Sequence, residues 1–148
     1  NKELNESSKK LALSHVVPDL ILKALNYDGQ LEILGDGTQI RHYTYGEDLA
    51  FGICELLTQE NAKNEDFNLS TSQSTSVLEL AETIFKKIHP NDEPVWKFVE
   101  PFTYDVQKRI PSTEKAKKLL GFEAKTTLSE MLDIVIPWMK EAKQKGYF

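Results

Sequence analysis

The stretch Gly35-Asp36-Gly37-Thr38-Gln39-Ile40-Arg41-His42-Tyr43-Thr44-Tyr45-Gly46-Glu47-Asp48 sets a glycine turn, one arginine, an aromatic strand and an acidic helix start in immediate succession. A strand that leads from a turn into a helix N-terminus is a natural place to hold an anion. Backbone N–H groups converge there, and Arg41 adds a planar, permanently charged fork suited to phosphate or carboxylate. Glu47 and Asp48 already answer part of the helix dipole, so the guanidinium, rather than the helix cap, is the expected anion ligand. Taken alone, an arginine on a strand is more often a solvated or ion-paired surface residue.

Five segments in order carry a family resemblance. The first is the stretch above, which resembles Gly-Asp-Gly-x-Gln-x-Arg-Asp-Phe-x-Tyr-Val-x-Asp. It matches at Gly35, Asp36, Gly37, Gln39, Arg41, Tyr43, Tyr45 and Asp48, and departs at His42 and Gly46. Ser14-His15-Val16-Val17-Pro18-Asp19-Leu20-Ile21, Asp66-Phe67-Asn68-Leu69-Ser70 with the helix start Ser76-Val77-Leu78-Glu79-Leu80-Ala81 that follows it, Ser112 to Phe122 with Lys115-Ala116-Lys117 and its Leu120-Gly121-Phe122 ending, and Thr127 to Trp138 supply the others. This series is similar to the C-terminal, sugar-nucleotide-binding half of NAD-dependent nucleotide-sugar epimerases and dehydratases, the extended short-chain dehydrogenase/reductase family. The resemblance implies an α/β fold, a small mixed sheet with packed helices, with the Rossmann half absent.

The glycines fall at 29, 35, 37, 46, 52, 121 and 146. None gives the Gly-x-x-Gly-x-x-Gly or Gly-x-Gly-x-x-Gly turn that cradles a dinucleotide pyrophosphate. Tyr104 and Lys108 do have Tyr-x-x-x-Lys spacing. By order along the chain they fall in a loop far downstream of the helix that carries the family's catalytic pair, so no catalytic residue is assigned.

Bulk properties fit one soluble globular domain over 1–148, with residues 1–13 as a loose N-terminal segment. A chain of this length buries roughly 70% of its unfolded surface, enough for a core. The net charge of −5 opposes non-specific binding to nucleic acid. A lone cysteine, Cys54, forms no internal disulfide, and no leader or long apolar run is visible, which points to a cytoplasmic protein away from membranes. His15, His42 and His89 are scattered, without metal spacing. Cys54 reads as inert core.

Periodicity predicts a helix from Pro18 to Leu25 and an alternating strand over Leu31 to Leu34. A strand follows over Ile40 to Tyr45, then a helix from Glu47 to Thr58 with Leu49, Ile53, Leu56 and Leu57 on its apolar face. Gln59 to Glu65 reads as an exposed loop and Phe67 to Ser70 as a short strand. Two capping boxes, Ser76 with Glu79 and Thr127 with Glu130, open helices. The first carries Leu80, Ala81, Ile84, Phe85 and Ile88 and is stopped by Pro90. The second carries Leu128, Met131, Leu132, Val135 and Met139, with a kink expected at Pro137. Val95 to Val99 reads as a strand. Ser112 is expected to cap a short helix that ends before Gly121.

The candidate substrate-binding residues are Arg41, Tyr43, Asn68, Lys108 and Arg109. The resemblance implies that Arg41 meets the diphosphate of a nucleotide-diphospho-sugar and that Asn68 faces the nucleotide. An Asx-type local hydrogen bond is an equal reading for Asn68, because the turn after it, Ser70-Thr71-Ser72-Gln73, has no glycine. Phe102 stands where the family has a second arginine, so Lys108 or Arg109 must reach the phosphate instead. Phe102 and Tyr104 are read as core or subunit-contact residues, His42 as surface or half-buried, Trp96 and Trp138 as packing. Lys115, Lys117 and Lys118 look like a solvated helix face.

The resemblance therefore implies the sugar-nucleotide-binding domain of an epimerase or dehydratase, inactive alone. NAD and the tyrosine base would belong to the missing Rossmann half. An apolar surface left bare by that half would drive self-association into a homo-oligomer. The alternative is a non-catalytic interaction domain that keeps the fold without a sugar site.

Overall fold

Both capping boxes form. Ser76 Oγ accepts the Glu79 N–H at 3.1 Å while the Glu79 carboxylate accepts the Ser76 N–H at 2.7 Å. Glu130 and Thr127 repeat the exchange, with the Thr127 N–H donating at 2.8 Å and Thr127 Oγ1 accepting the Glu130 N–H at 3.3 Å. The computed structural model describes residues 15–147; the expected loose segment 1–13 and Ser14 lie outside the described residues.

Among the described residues five α-helices and four short strands follow one another: α1 (Val16–Leu25), β1 (Leu31–Leu34), β2 (Ile40–Arg41), α2 (Gly46–Thr58), β3 (Thr75–Ser76), α3 (Val77–Ile88), β4 (Trp96–Val99), α4 (Glu114–Leu120) and α5 (Leu128–Gln144), with a 3-10 turn at Glu60–Ala62 in the expected 59–65 loop. This is the α/β alternation expected, with the sheet divided into two two-stranded ladders, β1 with β4 and β2 with β3. The chain divides into two compact units, one of residues 15–38, Ser76–Asp105 and residues 132–147, the other of Gln39–Thr75 and Val106–Met131.

In the first unit β1 and β4 run parallel, with Glu32 opposite Lys97. Their side chains form a cross-strand ion pair at 2.7 Å. The alternation of β1 sorts as the sequence predicts: Leu31 and Ile33 are buried, Glu32 and Leu34 are not. Leu20, Ile21 and Ala24 of α1, Leu80, Ala81, Ile84 and Phe85 of α3, and Leu132, Ile136 and Met139 of α5 complete this unit's buried set. Tyr27 meets the Phe85 ring edge-on, 4.8 Å between centroids. Helix α1 begins at Val16, two residues before Pro18. The proline's missing N–H falls within the first turn, where no intrahelical partner exists. Helix α5 runs on through Pro137.

The second unit is built around Ala116, Leu120 and Phe122, against which Leu56, Ala62, Phe67, Leu69 and Ala124 pack. Gly121 ends α4 in the left-handed region, φ 65°, as a C-terminal glycine should. The residue at the N-cap is Thr113 rather than Ser112, and no side-chain cap bond forms.

Four further expectations in this unit fail. The strand at Ile40 stops at Arg41, and Phe67 to Ser70 is not a strand; side chains, described below, take over the hydrogen bonding of these segments. Most of the expected apolar stripe of α2 faces outward: Leu49 is 38% exposed, Ile53 47% and Leu57 82%, and of the four only Leu56 packs against the core. Cys54 is exposed rather than core. What α2 buries is Gly52, because Phe122 and Leu69 close directly over it.

A Cβ at Gly52 would lie 2.7 Å from the Phe122 ring and 3.1 Å from Leu69. The gain in helix propensity from Gly52→Ala is about 1 kcal/mol, whereas forcing a methyl into a packed core costs about 1–3 kcal/mol. Phe122 is 1% exposed and has little room to yield, so the clash wins. Gly52→Ala should lower the urea midpoint at unchanged m-value; a rise in midpoint would refute this packing.

Candidate functional site

The second unit brings Arg41, Lys108 and Arg109 together through backbone pairing. Ile40 and Lys108 form a parallel bridge. The Ile40 N–H donates to the Gln107 carbonyl at 2.8 Å, and the Arg109 N–H donates to the Ile40 carbonyl at 3.1 Å. The same Ile40 oxygen accepts a second hydrogen bond, 2.9 Å from Arg41 Nη1. One carbonyl thus gathers the Arg41 guanidinium and the Arg109 amide. Pairing sets Lys108 level with Ile40 and Arg109 level with Arg41. Arg41 is half-buried, while Lys108 and Arg109 are exposed.

Tyr43 lies two residues on. Its hydroxyl is buried and has no hydrogen-bond partner. Burial pushes the phenol from 10.0 up to about 12, and the positive charge of Arg41 works in the opposite direction with smaller effect. A buried donor left unsatisfied costs about 1–3 kcal/mol.

Asn68 makes neither a local Asx bond nor a strand contact. Its Nδ2 donates to the Ser112 carbonyl at 3.1 Å, tying two loops of the unit together. Asp48 is likewise a tether, its carboxylate accepting the Thr126 N–H at 2.9 Å.

His42 and Thr44 carry more structure than their sequence position announces. His42 Nδ1 lies 2.7 Å from the Thr71 carbonyl, and Nε2 lies 2.9 Å from Ser74 Oγ. Thr44 Oγ1 accepts the Thr71 N–H at 3.0 Å and meets Ser70 Oγ at 3.2 Å. Ser70 and Thr71 are buried, so these bonds satisfy groups that water does not reach. The legible signal was the turn itself: a glycine-free run of Ser and Thr residues must find side-chain partners somewhere.

Phe102 and Tyr104 are 70% and 93% exposed, so the core reading fails for both. They flank a turn closed by the Asp105 N–H and the Phe102 carbonyl at 3.1 Å. Trp138, read as packing, is 59% exposed. Lys115 is ion-paired with Glu65 at 2.9 Å and sits 5.0 Å from the Phe67 ring centre. Lys117 pairs with Glu123 at 2.8 Å, and Lys118 alone of the three keeps the solvated role.

The Gly35-Asp36-Gly37 turn does not fit a dinucleotide. A Cβ at Gly37 would meet Leu78 at 3.0 Å and Ile33 at 3.3 Å, so this glycine serves packing. Asp36 turns its carboxylate onto the Thr38 N–H at 2.9 Å and Thr38 Oγ1 at 2.6 Å, and those bonds hold its carboxyl below the usual range. An acidic side chain in a turn that leads to a strand is unsuited to a pyrophosphate.

A groove of about 420 Å³ in the first unit, lined in part by Asp19, Lys23, Glu32 and Lys97, contains none of the candidate residues. Its lysines are paired with its carboxylates, Lys23 with Asp19 at 2.8 Å and Lys97 with Glu32 at 2.7 Å. Among the described residues no group of three or more His, Cys, Asp or Glu is placed to hold a metal ion, and no helix is long and apolar enough to cross a membrane.

Comparisons with known proteins agree on one lineage. A family model described as GDP-mannose 4,6 dehydratase matches residues 4–135. UDP-glucuronic acid decarboxylase 4 of Arabidopsis thaliana is 34% identical over 133 residues, covering 89% of this chain and 28% of the relative. Among solved structures, UDP-glucose 4-epimerase from Thermotoga maritima with UDP-glucose is similar at 29% identity and TM-score 0.76, over 87% of this chain and 40% of that one. UDP-glucuronic acid 4-epimerase from Bacillus cereus, in complex with UDP-glucuronic acid and NAD, matches at 25% identity and TM-score 0.78 over the same shares, 87% and 40%. The chain thus spans well under half the length of these relatives.

The Tyr43 environment is testable without any ligand. Its folded-state value lies above its unfolded one, so its contribution to stability is full below pH 10 and is lost as pH rises from 10 to about 12. Difference titration by phenolate absorbance, wild type against Tyr43→Phe, should place this one tyrosine near 12, with the variant losing less stability over that window. Titration of Tyr43 near 10 would refute the buried, unpartnered hydroxyl.

Proposed function

The chain belongs to the NAD-dependent nucleotide-sugar epimerase/dehydratase family, the extended short-chain dehydrogenase/reductases, and from that premise we propose that it is the part of such an enzyme that grips the nucleotide-sugar. The observation that carries this reading is the shared Ile40 carbonyl, which fixes the Arg41 guanidinium beside the backbone of Lys108 and Arg109. A diphosphate carries two adjacent negative groups, and the register that sets Arg109 level with Arg41 offers two guanidinium-bearing residues to meet them. Charge-assisted hydrogen bonds of this kind contribute about 1.5–3 kcal/mol each. Tyr43 would donate its unused hydroxyl to the same ligand, and Asn68 would hold the Ser112 segment in place beneath it. Lys108 and Arg109 would fill the role that Phe102 leaves vacant.

Hydride chemistry is assigned elsewhere. No glycine pattern for a pyrophosphate is present in the sequence, and the Gly35 turn is built for packing. In this reading the chain corresponds to the C-terminal half of a full-length enzyme, whose remainder binds NAD and supplies the tyrosine base. The chain alone is then catalytically silent. It is also a weak binder, because part of the site would come from that remainder. The runner-up, an interaction domain without a sugar site, draws on the outward apolar stripe of α2 and on exposed Phe102.

Titration of the 15N-labelled chain with UDP separates the two. The expected result is a dissociation constant of about 1 mM or weaker, near −4 kcal/mol, with amide shifts confined to Arg41, Tyr43, Lys108, Arg109 and their neighbours. Arg41→Ala should weaken binding by about tenfold or more, the loss of one charge-assisted contact. Micromolar affinity would refute the divided site, shifts unchanged by Arg41→Ala would refute the anchor, and no shifts at all would favour the interaction domain.

A further inference from the structure

The motif position between Arg41 and Tyr43 holds a histidine, and the geometry gives it a defined chemical state. A carbonyl oxygen can only accept, so the 2.7 Å contact between His42 Nδ1 and the Thr71 carbonyl requires a proton on Nδ1. In the neutral ring Nε2 is then an acceptor, and Ser74 Oγ, 2.9 Å away, must donate to it. We infer that His42 is a positioning residue: locked as the Nδ1–H tautomer, it holds the Thr71–Ser74 turn against the strand that carries Arg41.

The need for such a device follows from the local sequence. A turn that approaches a strand closely is ordinarily made with glycine, whose backbone has the freedom and the lack of bulk for it. Ser70-Thr71-Ser72-Gln73-Ser74 has none. Main-chain pairing does not replace it, because β2 ends at Arg41. The segment is held instead by His42 on the Thr71 carbonyl and Ser74, by Thr44 on the Thr71 N–H, and by Thr71 Oγ1 accepting the Gln73 N–H at 3.2 Å. Of these, the imidazole is the longest reach, and it binds both ends of the turn at once. It sits one residue from Arg41, so any tilt of the ring is coupled to the backbone from which the guanidinium projects. The link to ligand binding rests on the proposed function; the clamp and its tautomer do not.

Long-range 1H–15N correlation of the imidazole rings in the ligand-free chain reads the tautomer directly. His42 should show a protonated Nδ1 and an unprotonated Nε2, the reverse of the form favoured by a free imidazole in water. A protonated Nε2 with bare Nδ1, or rapid averaging of the two, would overturn the inference.

A variant series then tests the clamp. His42→Asn keeps a donor near the Nδ1 position and His42→Gln keeps a polar group near Nε2, whereas His42→Ala keeps neither. Hydrogen exchange at the Thr71 and Gln73 amides should quicken by about tenfold in His42→Ala and recover within about threefold of wild type in His42→Asn, the effect of restoring one hydrogen bond. Unchanged exchange in His42→Ala would overturn the clamp. Should His42→Ala fail to fold, His42→Gln, which lacks the donor at Nδ1, replaces it with the same expectation. UDP titration of the same variants should follow exchange in rank order. Wild type that shows the tautomer and the protected turn yet ignores UDP would support the clamp while refuting the sugar-nucleotide reading of Arg41.

Discussion

The carbonyl oxygen of Ile40 does two things at once. It closes the parallel bridge to the 107–109 segment through the Arg109 N–H, and it takes a hydrogen bond from the Arg41 guanidinium. Each bond alone is modest, about 1 kcal/mol net. Together they remove most of the rotational freedom of a long side chain whose rotamer entropy would otherwise oppose binding. In the proposed reading this held guanidinium is the contact for a ligand of compact negative charge, which is more specific than the presence of an arginine on a strand.

Around this bridge the chain departs from regular β-structure in an orderly way. From His42 to Thr44 the backbone leaves the ladder, and side-chain hydrogen bonds to the 70–74 turn take its place. Such bonds fix side-chain direction as well as backbone path. Had residues 42–45 paired as a strand, successive side chains would point to opposite faces and Tyr43 would be set by the ladder. The phenol instead sits buried with its hydroxyl unused, next to the guanidinium. The sequence that spoils the strand is the sequence that equips the site.

Legibility followed the range of the interaction. Both capping boxes, the alternation of β1 and the glycine stop after α4 are decided within four residues, and they were read correctly along the chain. The stripe of α2 was also read correctly as apolar, yet its direction was wrong. Periodicity reports which residues share a face and says nothing of what lies opposite; here Phe122 closes over Gly52 on the other side. Arg41 stands out along the chain through the family motif it completes, and its role as an anion contact is a proposal. The Ile40–Lys108 bridge joins positions 68 apart in number, and no local rule announces it. His42 was undervalued for the same reason, since both of its partners lie about 30 residues downstream, at separations of 29 and 32.

The charge pattern also bears on the proposed anion contact. A helix N-terminus offers an anion about 0.3–1 kcal/mol at an exposed site, and in α2 the first turn already carries Glu47 and Asp48. Asp48 is committed to the Thr126 N–H, so its charge stays near the helix mouth and would repel an incoming diphosphate. In the proposed reading the helix is scaffold and the strand end the anion contact, and the remainder of a full-length enzyme would supply the surface that excludes water and strengthens that contact.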